Sequence, residues 1–415
     1  MRHLILPCIL LAACGGDGAS SGSSASVVRD SAGIAIVEHG SEALASAPQW
    51  TLGTTPIATL GGAENDTTLD LSATSLAAFL PDNRLAVGIL QPAELLVFSA
   101  EGVRERMLGR GGAGPGEYRM LQQLLAVGGD TLIAYDFVKR ALLTYRADGT
   151  LVGEAEVPSS GGPVAPPLRG RLANGNFVHS MENFVGVADS SSDSFRPSVP
   201  FVTRTSDATS YDTAFALPGA EQYASTLEMQ GMSMAVPRAI VFGAQSTVAL
   251  TGASLWSSRG DIAEVVQHAD SNGRPTAAPA RIVRLPLAPR PVTDADKASY
   301  IAIMTEQFER FGGMMPPALK ESELKKLQES RFAPSFAPIG QLLAGPNGEV
   351  WVGEGGVPGE ATNWYVLDQQ GTLLGKIAMP KGVLVAIGTD RVALRVEDEE
   401  TGIVRLEVLS VSRKS

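Results

Sequence analysis

The sequence predicts an all-β fold, a six-bladed β-propeller of four-stranded antiparallel blades. The first indication is the stretch from Met107 to Pro158, where a glycine-rich loop precedes four short runs rich in β-branched and aromatic residues. Four antiparallel strands within about 50 residues is the size of one propeller blade. The four runs are Leu121–Val127, Thr131–Tyr135, Ala141–Tyr145 and Thr150–Val157.

The second indication is that this strand–turn–strand plan recurs along the chain. Most copies carry turns containing Asn, Asp or Gly, residues that adopt tight-turn conformations at low cost. The turns of six copies lie at residues 81–84, 128–130, 173–176, 243–246, 346–349 and 389–390. Small sheets of this kind cannot bury both faces alone, whereas radial stacking covers the faces and leaves short outer edges. A seven-bladed or incomplete ring is the alternative.

The last copy is short, which bears on how the ring closes. It contains two strand-like runs, Arg391–Val396 and Ile403–Val411, and so lacks an outermost strand. We expect Trp50–Leu60, which precedes the first blade, to complete this last blade and fasten the two ends of the chain together. Ile34–Glu38 is expected to add a further edge strand or to pack nearby.

One stretch departs from the strand pattern. Residues 290–334, before the fifth blade, are predicted to form a helical insertion in which Thr293 caps the first helix. Apolar residues three and four positions apart give that helix one apolar face. A second helix is expected after Pro316-Pro317. The insertion either packs over one end of the ring or serves as a lid or partner-docking element.

The N-terminal segment has the features of a targeting signal. Arg2 and the apolar run 4–10 lead to Leu11-Ala12-Ala13-Cys14, which resembles a bacterial lipobox. The resemblance implies that residues 1–13 are a signal peptide and that Cys14 is acylated; an ordinary signal peptide is the alternative. Residues 14–30 are predicted to be a flexible tether of Gly, Ser and Ala, followed by a propeller domain at 31–415.

Composition narrows the choice of partners and location. The formal charge of −11 argues against nucleic acid, which requires clustered Lys and Arg. Both cysteines, Cys8 and Cys14, lie in the N-terminal segment, so the domain must be stabilised by its own core. By resemblance to Gram-negative lipoproteins, Gly15 favours the outer membrane. We therefore expect a protein of the bacterial cell envelope, lipid-anchored in the membrane and facing the periplasm or the cell surface.

The loop at 108–118 and the runs that follow it resemble an NHL-type repeat. Together with the lipobox and two segments near the helical insertion, residues 30 to 411 resemble bacterial six-bladed β-propeller lipoproteins of unassigned function. The segments that carry the resemblance are Leu108–Tyr118, Leu132–Asp136, Arg140–Tyr145, Arg290–Asp296 and Phe332–Ile339. The resemblance implies an architecture and a location rather than a reaction. The chain departs from the NHL pattern at Gly88, which stands where the second blade has Asp136.

Five polar residues are the candidate channel or loop positions: Arg110, Glu117, Asp136, Asn183 and Glu354. The loop glycines are expected to let the chain turn tightly between blades, with Arg110 and Glu117 pairing across the loop. This is not a phosphate loop, because no Lys-Ser/Thr pair follows the glycines and no helix starts there. Asp136, Asn183 and Glu354 could meet at the channel mouth, where a metal-dependent hydrolase would place its ligands.

No catalytic residue and no metal ligand is assigned from the sequence. The four histidines are scattered, whereas a zinc site needs three or four converging ligands. No Gly-x-Ser-x-Gly elbow is present. The methionines of Met229–Met234 are soft ligands that could select copper, but they also fill irregular apolar gaps.

Two functions are therefore carried forward. The first is a non-catalytic binding or scaffold module that holds a protein or a glycan through a ring face or the helical insertion, with no resident cofactor. The second is a hydrolase or lyase with calcium or another divalent cation in the central channel. Convergence of three or more carboxylates at a channel mouth would favour the second function.

Overall fold

The structure is a computed structural model. It describes residues 26–62, 69, 71, 76–90, 93–160, 164–182, 193–229, 232–252, 254–311, 317–398 and 400–413. Within these ranges the chain forms 29 strands and three helices. Four-stranded antiparallel sheets are the recurring unit.

The first elements lie outside the blades in sequence. They are β1 (Val27–Ser31), β2 (Ile34–Glu38), α1 (Ser41–Ser46), β3 (Gln49–Leu52) and β4 (Ala58–Leu60). Strand β1 corrects the expected tether, which was to reach residue 30. The strand begins at Val27 because the Gly/Ser composition ends at Ser26, and two β-branched residues then pair with β2.

Blades 1 to 3 follow one another with four strands each. Blade 1 contains β5 (Leu76–Phe79), β6 (Leu85–Leu90), β7 (Ala93–Phe98) and β8 (Arg104–Gly109). Blade 2 contains β9 (Leu121–Ala126), β10 (Thr131–Asp136), β11 (Ala141–Arg146) and β12 (Leu151–Glu156). Blade 3 contains β13 (Leu168–Arg171), β14 (Phe177–Ser180), β15 (Ser198–Arg204) and β16 (Asp212–Pro218). The strands of blade 2 lie within a residue or so of the predicted runs.

Insertions accompany the second half of the ring. A hairpin of β17 (Gln222–Met229) and β18 (Met232–Ala239) precedes blade 4, which contains β19 (Thr247–Leu250), β20 (Leu255–Ser258), β21 (Glu264–Ser271) and β22 (Arg274–Arg284). Helices α2 (Asp294–Phe311) and α3 (Pro317–Gln328) precede blade 5, which contains β23 (Gln341–Ala344), β24 (Val350–Gly353), β25 (Thr362–Leu367) and β26 (Leu373–Met379). Blade 6 contains β27 (Val383–Ile387), β28 (Arg391–Glu397) and β29 (Val404–Ser412).

The buried core of the described residues is divided among the blade interfaces. Six hydrophobic clusters are present, and each joins one blade to the next around the ring. The cluster that contains Leu85 of blade 1 and Leu406 of blade 6 closes the circle. Because apolar burial is the main driving force for folding, this arrangement stabilises the sheets only as a closed ring. The chain is a six-bladed β-propeller.

The N-terminal segment from Ile34 to Leu60, here called the belt, runs along the outer edges of three successive blades. Strand β2 pairs in parallel with β22 of blade 4, and β3 pairs in parallel with β26 of blade 5. Strand β4 pairs antiparallel with β29 and supplies the missing outer strand of blade 6. Closure of the last blade by the N-terminal segment is confirmed. Ala58–Leu60 forms the outer strand, and Thr51 and Leu52 of β3 also pair with β29.

The helical insertion is confirmed, and its first helix is capped as predicted. The Thr293 hydroxyl accepts a hydrogen bond from the Asp296 backbone N–H at 3.2 Å, while the Asp296 carboxylate accepts the Thr293 backbone N–H at 2.8 Å. This reciprocal pair satisfies two otherwise free donors of the first turn. The hairpin before blade 4 was not predicted. Among the described residues, no helix is both long and apolar enough to cross a bilayer.

Candidate functional site

The central channel is lined by the innermost strand of every blade. A cavity of about 630 Å³ extends along β5, β9, β13, β19, β23 and β27 and reaches the turns that follow several of them. The side chains of these strands alternate between the two faces of each blade, so several that line the cavity also pack against the cores between blades. The wall is mainly aliphatic, and the residues that line it include Leu125, Val127, Leu250, Leu343 and Val385.

The charged groups of the channel wall come from blade 3. Of the described residues that line the cavity, Arg169 and Arg171 are the charged ones, and none is Asp, Glu or His. Arg169 forms an ion pair with Glu182 and donates to the Ser180 hydroxyl at 2.8 Å. Arg171 donates to the Gly175 carbonyl at 3.2 Å. The part of the channel that the structure describes is therefore apolar with a positive side.

Asp136 is fully buried at the end of β10 and does not line this cavity. Its carboxylate accepts backbone N–H groups from both neighbouring loops, including Met120 at 3.1 Å, Val138 at 3.0 Å and Lys139 at 2.8 Å, together with Arg119. Hydrogen bonds to an ionised acceptor are the stronger kind in proteins. Asp136 thus joins the glycine-rich loop to the turn between β10 and β11.

The glycine-rich loop is closed by its own side chains. Arg110 donates to Glu117 at 3.2 Å, as expected, and the other Glu117 oxygen accepts the Gly114 backbone N–H at 2.9 Å. That backbone hydrogen bond, followed by the one from Arg110, lowers the pKa of Glu117. A Cβ at Gly112 would lie 2.0 Å from the Glu117 carboxylate, so a larger residue there would displace this carboxylate. The side-chain contact between Arg110 and Glu117 is internal to the loop, and the Glu117 carbonyl accepts a hydrogen bond from Lys139 of blade 2 at 3.1 Å.

The helical insertion and the hairpin enclose a second cavity, here called the insertion site. It has a volume of about 500 Å³ and lies above the residues that lead into β19 and β23. Aromatic side chains form one part of its wall, and main-chain atoms form another. The side chains that line it include Tyr223, Arg238, Phe242, Tyr300, Met304, Phe308, Glu323 and Leu327. Cavities of this size with mainly apolar walls and a few polar groups are typical ligand sites.

Phe242 is the centre of an aromatic cluster at this cavity. Its ring centroid lies 4.5 Å from that of Phe336, 5.3 Å from Tyr300 and 5.7 Å from Phe332. The Gly243 N–H bonds the Ile240 carbonyl, which places Phe242 in a tight turn with φ of 63°. Left-handed backbone is uncommon for a bulky residue and costs about 1–3 kcal/mol. The surrounding contacts hold this ring at the cavity wall against that strain.

An ion-pair network links the two insertions beside the aromatic cluster. Glu323 of α3 accepts from Arg238 of β18 at 3.2 Å and from Lys326 at 2.8 Å. These two contacts, that of Lys326 first, lower the pKa of Glu323. The hairpin and the helix pair therefore share both an apolar and an ionic contact.

A polar cavity of about 470 Å³ adjoins the insertion site, and Gly355 and Gly356 line both. Glu354 stands at its edge, where it accepts a hydrogen bond from the Tyr365 hydroxyl at 2.5 Å and one from Asn363 at 3.2 Å. Burial, and then this bond to Glu354, raise the pKa of Tyr365. A carboxylate, an amide and a hydroxyl thus converge next to the aromatic cavity.

Comparison with known proteins agrees with the architecture. Residues 80–183 match the DUF5128 family, described as a 6-bladed beta-propeller. The match spans blade 2 and parts of blades 1 and 3. No curated protein matches the sequence significantly.

Several solved structures resemble the whole chain at low identity. A protein of Bacteroides fragilis named as exported is 15% identical, with 88% of this chain and 96% of that chain covered and a TM-score of 0.47. A member of the DUF4221 family from Bacteroides vulgatus is 6% identical, with 89% and 100% covered and a TM-score of 0.49. The calcium-binding protein regucalcin from Agrobacterium tumefaciens is 11% identical, with 89% and 97% covered and a TM-score of 0.41.

The propeller does not bring Asp136 and Glu354 together at a channel mouth. Asp136 and Glu354 belong to blades 2 and 5, which face each other across the six-membered ring. Asn183 and Cys14 lie outside the described residues. Within the described ranges, no three His, Cys, Asp or Glu side chains form a group that could hold a metal ion. The described histidines, His39, His179 and His268, are buried in separate places.

The insertion site was missed because the hairpin was missed. Its sequence signal was available: two eight-residue runs flank Gln230-Gly231, and a two-residue turn containing Gly favours a hairpin. The methionines of Met229–Met234 drew attention to ligand chemistry instead. They belong to the ends of β17 and β18 that adjoin this turn.

Proposed function

We propose that this propeller is a lipid-anchored, extracytoplasmic binding module that holds a protein segment or a glycan in the insertion site. The observation that carries the proposal is the aromatic cavity of about 500 Å³ enclosed by the hairpin and the helices. Aromatic side chains provide rigid contact area at low entropic cost, and they dominate the energetics of many binding sites. The adjoining Glu354 and Asn363 supply hydrogen-bonding groups that would orient a polar ligand.

The strain at Phe242 supports the same proposal. Backbone strain of this kind occurs preferentially at functional sites, where the surrounding structure over-determines it. Phe242 contacts α2 through Tyr300 and the segment after α3 through Phe332 and Phe336. A binding surface assembled in this way is held in place before a ligand arrives, which reduces the entropy lost on binding.

Two glycines with open space around them permit a matched test of the site. A Cβ at Gly356, in the cavity wall, would meet nothing within 4 Å, and the same holds for Gly153 on the outer strand of blade 2. Leucine at Gly356 should fill part of the cavity without disturbing its surroundings. Leucine at Gly153 should leave the cavity unchanged.

The experiment compares the wild-type protein with Gly356→Leu and Gly153→Leu on a glycan array and in capture from cell-envelope extracts. We expect the wild type and Gly153→Leu to retain the same glycan or protein, and Gly356→Leu to lose it. Equal retention by the two variants, or no retention by the wild type, would contradict the proposed site.

The anchor is tested separately through Cys14. The lipobox-like sequence Leu11-Ala12-Ala13-Cys14 supports acylation of this cysteine. We expect radiolabelled palmitate to be incorporated into the wild type, and Cys14→Ala to abolish the label and move the protein from the membrane fraction to the soluble fraction. Unlabelled wild-type protein would overturn the lipid anchor without affecting the insertion site.

A further inference from the structure

Two arginines of blade 3 share one aromatic ring beside the channel. Arg171, Phe177 and Arg204 are direct cross-strand neighbours on β13, β14 and β15. The guanidinium carbons of Arg171 and Arg204 lie 5.8 Å and 5.5 Å from the centre of the Phe177 ring. Phe177 lies between the two arginines in this row, which concentrates positive charge in a protein whose formal charge is −11.

Arg204 is buried, and no carboxylate among the described residues forms an ion pair with it. It is 2% exposed, and its Nη1 donates to the carbonyls of Thr205 and Ser206 at 2.9 and 3.2 Å. Its Nε and Nη2 have no hydrogen-bond partner. Asp207, in the following turn, accepts a hydrogen bond from Thr205 at 2.6 Å.

Arg171 brings positive charge to the channel itself. It lines the channel cavity, and among the described residues no acidic side chain forms an ion pair with it. Arg169, two positions earlier, is already paired with Glu182. The remaining wall is mainly aliphatic, and Leu250 of the next blade lines it beside Gly170.

We propose that the lower part of the channel binds an amphipathic anion, with its anionic head on Arg171 and its aliphatic tail along the channel wall. The "lower part" is the end next to the turns after β13 and β19, where Ala173 and Gly252 line the cavity. A guanidinium group binds carboxylates and phosphates through paired N–H donors. The volume of about 630 Å³ lies within the range of small-molecule sites. Arg204 adds positive potential behind the Phe177 ring.

The probe is sodium decanoate, titrated by calorimetry into the full-length chain carrying Cys14→Ala, which allows detergent-free buffer. We expect one saturable site per chain. Hexanoate should bind at least about tenfold more weakly, because each methylene removed from water contributes about 0.8 kcal/mol. Decyl phosphate tests whether the head is selective: binding equal to that of decanoate assigns a general anion site, and weaker binding assigns a carboxylate site.

Three variants distinguish the proposal from a structural role of the arginine. Arg171→Gln should weaken decanoate binding about tenfold or more, since it removes a charge-assisted contact. Arg171→Lys should restore part of the affinity. Arg274→Gln, an exposed arginine of blade 4 paired with Asp212, should leave it unchanged. The melting temperature of each variant confirms folding.

Three results would overturn the proposal. They are the absence of saturable decanoate binding, equal affinity in folded Arg171→Gln and Arg274→Gln, and equal affinity for hexanoate and decanoate. A fourth result would also contradict it: if inorganic phosphate bound as tightly as decanoate, the aliphatic wall would contribute nothing to binding.

Discussion

The guanidinium group of Arg413 lies over the ring of Trp50, with its central carbon 4.7 Å from the ring centre. Trp50 belongs to the belt, and Arg413 follows the last strand of blade 6. Arg413 also pairs with Glu349 of blade 5 at 3.1 Å and donates to the Thr389 carbonyl at 2.8 Å. The belt and the C-terminal end of the described chain are thus fixed to each other and to blade 5.

Removal of either partner should therefore destabilise the closed ring. We expect Trp50→Ala to lower the free energy of unfolding by about 3–5 kcal/mol, because a large buried ring is lost. Arg413→Ala should lower it by about 2 kcal/mol, since Glu349 is 4% exposed and loses a charged partner. The midpoint of urea unfolding measures both. Arg29→Ala, which breaks the exposed pair with Glu38, is the control and should change stability by less than about 1 kcal/mol.

The carboxylate of Asp136 should stabilise the fold through the loops that it joins. Asp136→Ala leaves four backbone N–H groups without their acceptor, so we expect a loss of about 3 kcal/mol in urea unfolding. Asp136→Asn retains one oxygen and should lose less. Asp148→Asn, at an exposed turn of the same blade, serves as the control. Equal effects at the two positions would contradict this role.

At Phe242, glycine should be better tolerated than alanine. Both changes remove the ring, but glycine adopts the φ of 63° without strain, so Phe242→Gly should be about 1 kcal/mol more stable than Phe242→Ala. Neighbouring Val241 serves as the control, because it pairs with Phe332 in a β-bridge and should show the opposite order. Thermal unfolding of the four variants tests this. Alanine more stable than glycine at Phe242 would show that the left-handed turn is absent.

His179 should make stability depend on pH. Burial lowers its pKa to about 4, from an ordinary value of 6.5. Between these values the unfolded chain binds more protons than the folded one, so stability is fully present above pH 6.5 and is lost as pH falls towards 4. The loss amounts to about 3 kcal/mol for a shift of this size. His179→Phe keeps the ring contacts with Tyr135 and Tyr211 and should flatten the urea midpoint between pH 4 and 6.5.

If the urea midpoint of His179→Phe depends on pH as it does in the wild type, the loss of stability at low pH is due to another titratable group. Burial also lowers the pKa of His268 and acts in the same direction. The difference between the variant and the wild type, rather than the wild-type profile, therefore isolates His179.

The blades could be predicted because their information is local. In blade 2, the runs of β-branched and aromatic residues and the turns at 128–130 and 147–149 are contained within the sequence of the blade itself. Closure of the ring by the N-terminal segment could also be predicted, because the last copy of the repeat lacks its outermost strand. The pairing of Arg110 with Glu117 followed from their positions on either side of one short loop.

The remaining features depend on pairing between distant segments. No local pattern indicates that β2 and β3 add to blades 4 and 5, because parallel edge pairing leaves no turn between the partners. Asp136 was predicted as a candidate channel residue, because its four backbone donors come together only in three dimensions. Arg171 was not predicted as a site residue, because the alternating pattern of a strand does not distinguish an arginine that lines a channel from one that is exposed to solvent.

The belt also imposes an order on biosynthesis. Its strands are made first, yet Glu38, Trp50 and Leu60 pair with Arg284, Ile377 and Leu406, which emerge from the ribosome much later. At about 5–20 residues per second, the earliest segment waits on the order of tens of seconds for its partners. If the nascent chain is halted before residue 404, β29 is missing and β4 has no strand to pair with. A prematurely terminated chain therefore cannot close the last blade.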